Sequence, residues 1–127
     1  MDELEPDPTG PFCVVWIHAD SPDAFERAAR YARQNLNYGM QVVVVFAESG
    51  ARLLQTDRMA RLLMLPGMQQ LVQELEDGGA SFELDLSSAR RSGVVETLSN
   101  LLPSLRVADA ARLAELATGT RMTARYG

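Results

Sequence analysis

Lysine is missing from this chain: all twelve of its basic residues are arginine. That removes the Schiff-base lysine, the phosphate-loop lysine and the lysine general base at one stroke. Cysteine occurs once, as Cys13, so neither an internal disulfide nor a cysteine-rich zinc site can form. Histidine also occurs once, as His18, and no serine sits in a G-x-S-x-G elbow, which leaves little for a hydrolytic triad. No strand is followed by a glycine-rich phosphate loop, so no motif calls for a cofactor. No apolar run reaches the roughly 20 residues that cross a bilayer, and no membrane partner is expected. The net charge of −5 argues against nucleic acid as a partner, because such binding rests on phosphate neutralisation. The opening MDELEPDPTGP is acidic and proline-rich; residues 1–11 are expected to be a mobile tail, and the cytoplasm is the default location.

What is present is an alternation of apolar strands and amphipathic helices. Phe12 to Ile17, FCVVWI, and Met40 to Ala47, with VVVVF at its centre, are continuous apolar runs of the kind that strands buried on both faces require. Between them Ser21 is placed to cap a helix and Pro22 to start it; Phe25, Ala28, Ala29, Ala32 and Leu36 then share one face up to Gly39. After the turn Glu48-Ser49-Gly50, a helix begins at Ala51, and Asp57 is expected to cap another reaching Leu65. Met68, Leu71, Val72 and Leu75 mark a third helix, stopped by Gly78-Gly79. Ser81 to Leu86 reads as a buried strand, and Ser87 to Gly93 as a polar loop. Val94, Val95, Leu98, Leu101 and Leu102 predict a further helix, Leu105 to Val107 a short strand, and Asp109 the cap of a helix over 110–117. Thr120 to Tyr126 alternates and should be an edge strand. The pattern predicts an α/β fold, a three-layer α/β/α sandwich with a five-stranded, mainly parallel sheet, in one domain over 12–127.

In such a sheet the strand C-termini open on one edge, where ligands gather. The candidate pocket there comprises His18, Asp20 and Ser21, Glu48 with Ser49, and Asp85, Ser87, Ser88 and Arg90 with Arg91. His18, Asp20, Glu48 and Asp85 are ligand types that a hard or borderline cation accepts, though without diagnostic spacing, and no metal is assigned. Asp85 invites comparison with the phospho-acceptor of response-regulator receivers, but the obligatory lysine does not exist here. Cys13 opens the first strand, at the end away from this edge, where a buried thiol behaves as a small hydrophobe. Met59, Leu62, Leu63, Met64, Leu65 and Met68 cluster around Pro66-Gly67; five of the seven residues from Leu62 to Met68 are large and apolar, more than one helix face needs, so part of this surface is expected to meet another subunit.

In order and spacing, the apolar first strand with its Pro-Asp helix start, the phrase YGMQVVVVFAESGARLL (38–54), PGMQQLVQELEDGGASFEL (66–84) and the SSARRSG loop (87–93) resemble the DsrE/DsrF-like family of the DsrEFH superfamily. That family includes the sulfur-relay proteins of sulfur oxidation and tRNA thiolation. The resemblance implies homo-oligomers, as dimer, trimer or hexamer, and a sulfur-relay protein partner. It also implies a persulfide-accepting cysteine at the end of the third strand. In this chain that position falls on Asp85, or on Leu84 or Leu86 with a one-residue slip, and none of these is a thiol. A carboxylate cannot carry a persulfide. The leading expectation is therefore a non-catalytic DsrE-like binding or structural subunit. The alternatives are a small-molecule or metal-binding enzyme using the strand-edge residues, and a sulfur carrier acting through Cys13.

Overall fold

The computed structural model describes residues 12–94 and 102–127. Five parallel strands form one sheet in the order β4-β3-β2-β1-β5. They are β1 (Phe12–Ile17), β2 (Gln41–Phe46), β3 (Ser81–Asp85), β4 (Leu105–Ala108) and β5 (Thr120–Tyr126). The helices are α1 (Pro22–Asn37), α2 (Thr56–Leu63), α3 (Met68–Asp77), α4 (Leu86–Ser92) and α5 (Ala110–Gly119), with a 3-10 helix at Glu48–Leu54. This is the three-layer α/β/α architecture. No helix among the described residues is long and apolar enough to cross a membrane. The expected tail, 1–11, and the body of the expected helix over 95–101 lie outside the described residues.

Successive strand residues point to opposite faces, and both faces are covered. Cys13, Val15 and Ile17 of β1, Val42, Val44 and Phe46 of β2, and Phe82 and Leu84 of β3 join the larger core with α1, the 3-10 helix, α2 and α3. Val14, Val43, Val45 and Ala47 face the other way, against Leu113 and Leu116 of α5. The continuous valine run of β2 thus serves two cores at once. Phe25, Phe46 and Phe82 are fully buried and their rings pack in sequence, at centroid distances of 6.1 and 6.3 Å. Each contributes roughly 2–3 kcal/mol of burial. Glu83, alternating with Phe82 and Leu84, faces α5 at 5% exposure. It accepts a forked set of bonds from Arg112 at 3.0, 3.2 and 2.7 Å, which fastens α5 to the sheet.

The sequence places most element ends within a residue or two. Ser21 accepts a bond from the Ala24 N–H at 3.1 Å, and Asp109 from the Arg112 N–H at 2.9 Å, as their capping roles require. Three readings are corrected. The expected loop 87–93 is helical up to Ser92, as α4: Asp85 caps it, and Gly93, at φ 67°, closes it in the left-handed conformation that glycine adopts freely. The third strand accordingly ends at Asp85, with Leu86 already helical. Asp57 does not cap α2, which starts one residue earlier after an extended Gln55; it lies in the first turn, 3.9 Å from Arg61.

Candidate functional site

The chain direction along the sheet reverses between β1 and β5, where an open α/β sheet most often leaves a crevice. Here that place is filled. The His18 N–H donates to the Tyr126 carbonyl at 2.8 Å, and the backbone of Gly127 comes so near Ala19 that an added Cβ would stand 2.3 Å from the Ala19 Cβ. His18 lies beside Trp16, at 6.1 Å between ring centroids. Its pKa is lowered by burial first and by the Arg125 charge second, with Glu48 acting in the opposite sense.

The rest of the strand edge divides into two groups. The first surrounds the start of α4. Asp85 accepts from the Ser87 N–H at 3.1 Å and from the Ser88 hydroxyl at 2.6 Å. The Ser88 oxygen in turn accepts from the Glu48 N–H at 2.7 Å, which ties the end of β3 to the end of β2. Arg91 closes the ring, donating to Ser87 Oγ at 2.8 Å and to Ser88 Oγ and the Glu48 carboxylate at 3.3 Å each. Ser88 is 1% exposed. Glu48 sits at φ 52°, among the described residues the one non-glycine in the left-handed region, a conformation that costs on the order of 1 kcal/mol and needs its surroundings to hold it. Ser88 supplies that hold. Two residues on, Gly50 lets the same turn lie against the end of β1, since a Cβ there would lie 2.0 Å from the Ile17 carbonyl oxygen. The carboxylate of Asp85 is therefore spent on internal bonds.

The second group surrounds Asp20. Arg58 of α2 donates to it at 2.9 Å, and Arg52 of the 3-10 helix stands 3.9 Å away. The Arg58 hydrogen bond is the main reason the Asp20 carboxyl is held below the usual carboxylate range, burial opposing and the two guanidinium charges assisting. Beside this pair opens a cleft of about 360 Å³, floored by Pro22, Leu53, Leu62 and Leu65 and rimmed by Asp20, Arg58 and Arg61.

The structure thus brings Glu48, Asp85, Ser87 and Ser88 together and leaves Asp20 to a separate cluster. Ser21 is spent on its cap, and Ser49 and Arg90 are exposed. Among the described residues no three carboxylate, histidine or cysteine side chains converge as metal ligands, so His18, Asp20, Glu48 and Asp85 do not form the set their residue types suggested. Arg58 and Arg52 escape a linear reading because they meet Asp20 from other helices; the Arg58 contact spans 38 residues of sequence.

Cys13 is wholly buried and its thiol pKa is raised, by desolvation first, with a Tyr31 hydrogen bond opposing. Val14, Val43 and Ser81 lie level across the three strands, so Asp85 is level with residue 18, five residues beyond Cys13. That separation is roughly 16 Å along the strands and 10 Å across them.

Around Pro66-Gly67, Met59, Leu62 and Met68 are core residues and Leu63 is partly buried against them. Only Leu63, Met64 and Leu65 of the six expected interface residues retain accessible surface of any size, Met64 being 82% exposed. Core packing claims the others because α2 and α3 both lie against the same sheet face.

The chain matches no family model, and no curated protein matches it. Among solved structures it is similar to the conserved protein of unknown function BT1422 from Bacteroides thetaiotaomicron, at 18% identity and a TM-score of 0.62, over 89% of this chain and 93% of that one. It is similar to the protein of unknown function MTH1491 from Methanobacterium thermoautotrophicum, at 17% identity and 0.66, over 91% and 99%. It is also similar to the ychN protein from E. coli, at 14% identity and 0.69, over 92% and 100%. At such identities the likeness is one of fold, and over nearly the whole of each chain the fold is shared.

Proposed function

We propose that this chain is a DsrE-like protein that keeps the scaffold of the sulfur-relay proteins without their persulfide chemistry, and acts as a binding or structural subunit. The observation that carries the reading is the state of Asp85. It stands where the family resemblance puts the sulfur-holding cysteine, and its two oxygens are committed to capping α4 and to the Ser88 hydroxyl. The one thiol of the chain cannot take over, being buried and on a different strand. A thiol must be an accessible thiolate to accept sulfur, and burial works against both conditions.

Assembly belongs to the same proposal, either with copies of itself or with a thiol-bearing sulfur-relay partner. Leu63, Met64 and Leu65 are the surface that would serve it. The test is to treat the native protein with sodium polysulfide and follow its intact mass. No stable gain of a sulfur atom is expected. A sulfur adduct that transfers to an acceptor thiol, and vanishes in Cys13→Ser, would refute the proposal.

A further inference from the structure

The cleft beside Asp20 combines three properties. It is open, with about 360 Å³ of space, inside the range of roughly 300–1,000 Å³ in which small-molecule sites fall. Its floor is apolar, from Pro22, Leu53, Leu62 and Leu65. Its rim carries a guanidinium that is only partly used. Among the described residues Arg58 makes one hydrogen bond, from Nη1 to Asp20, out of the five N–H groups a guanidinium offers. Arg112 is the contrast: its fork is closed on Glu83 by three bonds. Arg61, also on the rim, is held only loosely, 3.4 Å from the Asp57 carbonyl and 3.9 Å from its carboxylate. Arginines 52, 58 and 61 face Asp20 and Asp57 here, three positive charges against two negative ones, in a chain whose net charge is −5.

We infer that this cleft is a binding site for a small organic monocarboxylate, its apolar body lying on Leu53, Leu62 and Leu65 and its carboxylate on the free N–H groups of Arg58 and Arg61. Asp20 is then a positioning residue: it holds Arg58 at the cleft mouth and competes with the ligand for it. The planar fork of arginine suits a carboxylate, which it can meet with two parallel bonds. This inference goes beyond the proposal about sulfur chemistry and stands or falls apart from it, since it uses neither Asp85 nor Cys13.

The test is a titration of the isotope-labelled full chain, followed by amide NMR shifts, with sodium hexanoate as the probe and hexanol and hexylammonium as controls of the same body. Hexanoate is expected to give saturable shifts centred on residues 20, 53, 58, 61, 62 and 65, and the two controls are not. Arg58→Gln should weaken hexanoate by about tenfold, the worth of one charge-assisted hydrogen bond. Asp20→Asn should tighten it a few-fold, because the guanidinium is released. Arg61→Gln, at a position 73% exposed, should also weaken it and serves if Arg58→Gln fails to fold. Absence of saturable shifts, equal binding of hexanol, preferential binding of hexylammonium, or weaker hexanoate binding in Asp20→Asn would each overturn the inference.

Discussion

Replacing Asp85 by alanine should destabilise the protein although the residue lies at the strand edge where function would be sought. Two contributions disappear together. The cap on the Ser87 N–H is worth about 1 kcal/mol. The bond from the Ser88 hydroxyl to a carboxylate is worth about 1.5–3 kcal/mol, towards the lower figure because Asp85 is only half-buried. The expected loss is about 2–3 kcal/mol. Asp85→Asn keeps a capping oxygen and should lose about 1 kcal/mol. Ser88→Ala leaves the Glu48 N–H without its partner in a strained turn and should cost about 1–3 kcal/mol. Because one hydroxyl links the two ends, the double variant should lose less than the sum, with a coupling of about 1 kcal/mol. Urea unfolding measures all four proteins, the midpoint falling by roughly 1–2 M in Asp85→Ala at unchanged slope. A loss under about 0.5 kcal/mol, or strict additivity with Ser88→Ala, would mean that Asp85 is not a structural residue. Asp85 would then not stand in the thiol's place as a structural group.

Three other outcomes follow from the geometry. Glu83→Gln should cost about 1–2 kcal/mol, because Glu83 is buried but Arg112 is 40% exposed and keeps Glu115 and water as partners, while Glu83→Leu with Arg112→Leu should restore much of it; a chemical melt that ranks the double variant below the single one would refute this. Cys13 should resist a thiol reagent in the native protein and react on unfolding. Its raised pKa means that the unfolded chain loses the proton first as pH rises, so its contribution to stability is full below about pH 9, declines above it, and should be absent from the alkaline limb of Cys13→Ala. Met64→Glu should lower the molar mass measured by light scattering if Leu63, Met64 and Leu65 join copies of the chain; an unchanged multimer would place the interface elsewhere.

Periodicity and caps alone were enough for the sheet, its direction and the helices α1, α3 and α5, because those signals are local. The valine run of β2 has to be buried on both faces whatever surrounds it. Ser21 and Asp109 serve helix starts a few residues away. Even α4 left a local trace in Asp85 and Gly93, but without an apolar stripe its residues after Leu86 read as loop. The same limit applies to Met59, Leu62 and Met68, whose pattern could not tell core from contact surface until α2 and α3 were both on the sheet.

The site belonged to the tertiary structure. Asp20, Glu48 and Asp85 look equivalent as acids following strands. Packing gave Asp20 to Arg58 and Glu48 to Arg91, over 38 and 43 residues of chain, whereas Asp85 met Ser88 only 3 residues on. A carboxylate's role depends on which donors reach it, and donors brought by other helices leave no mark in the sequence beside it. Composition, by contrast, decided in advance that one thiol and no lysine were available, since no folding can supply an atom the chain does not contain.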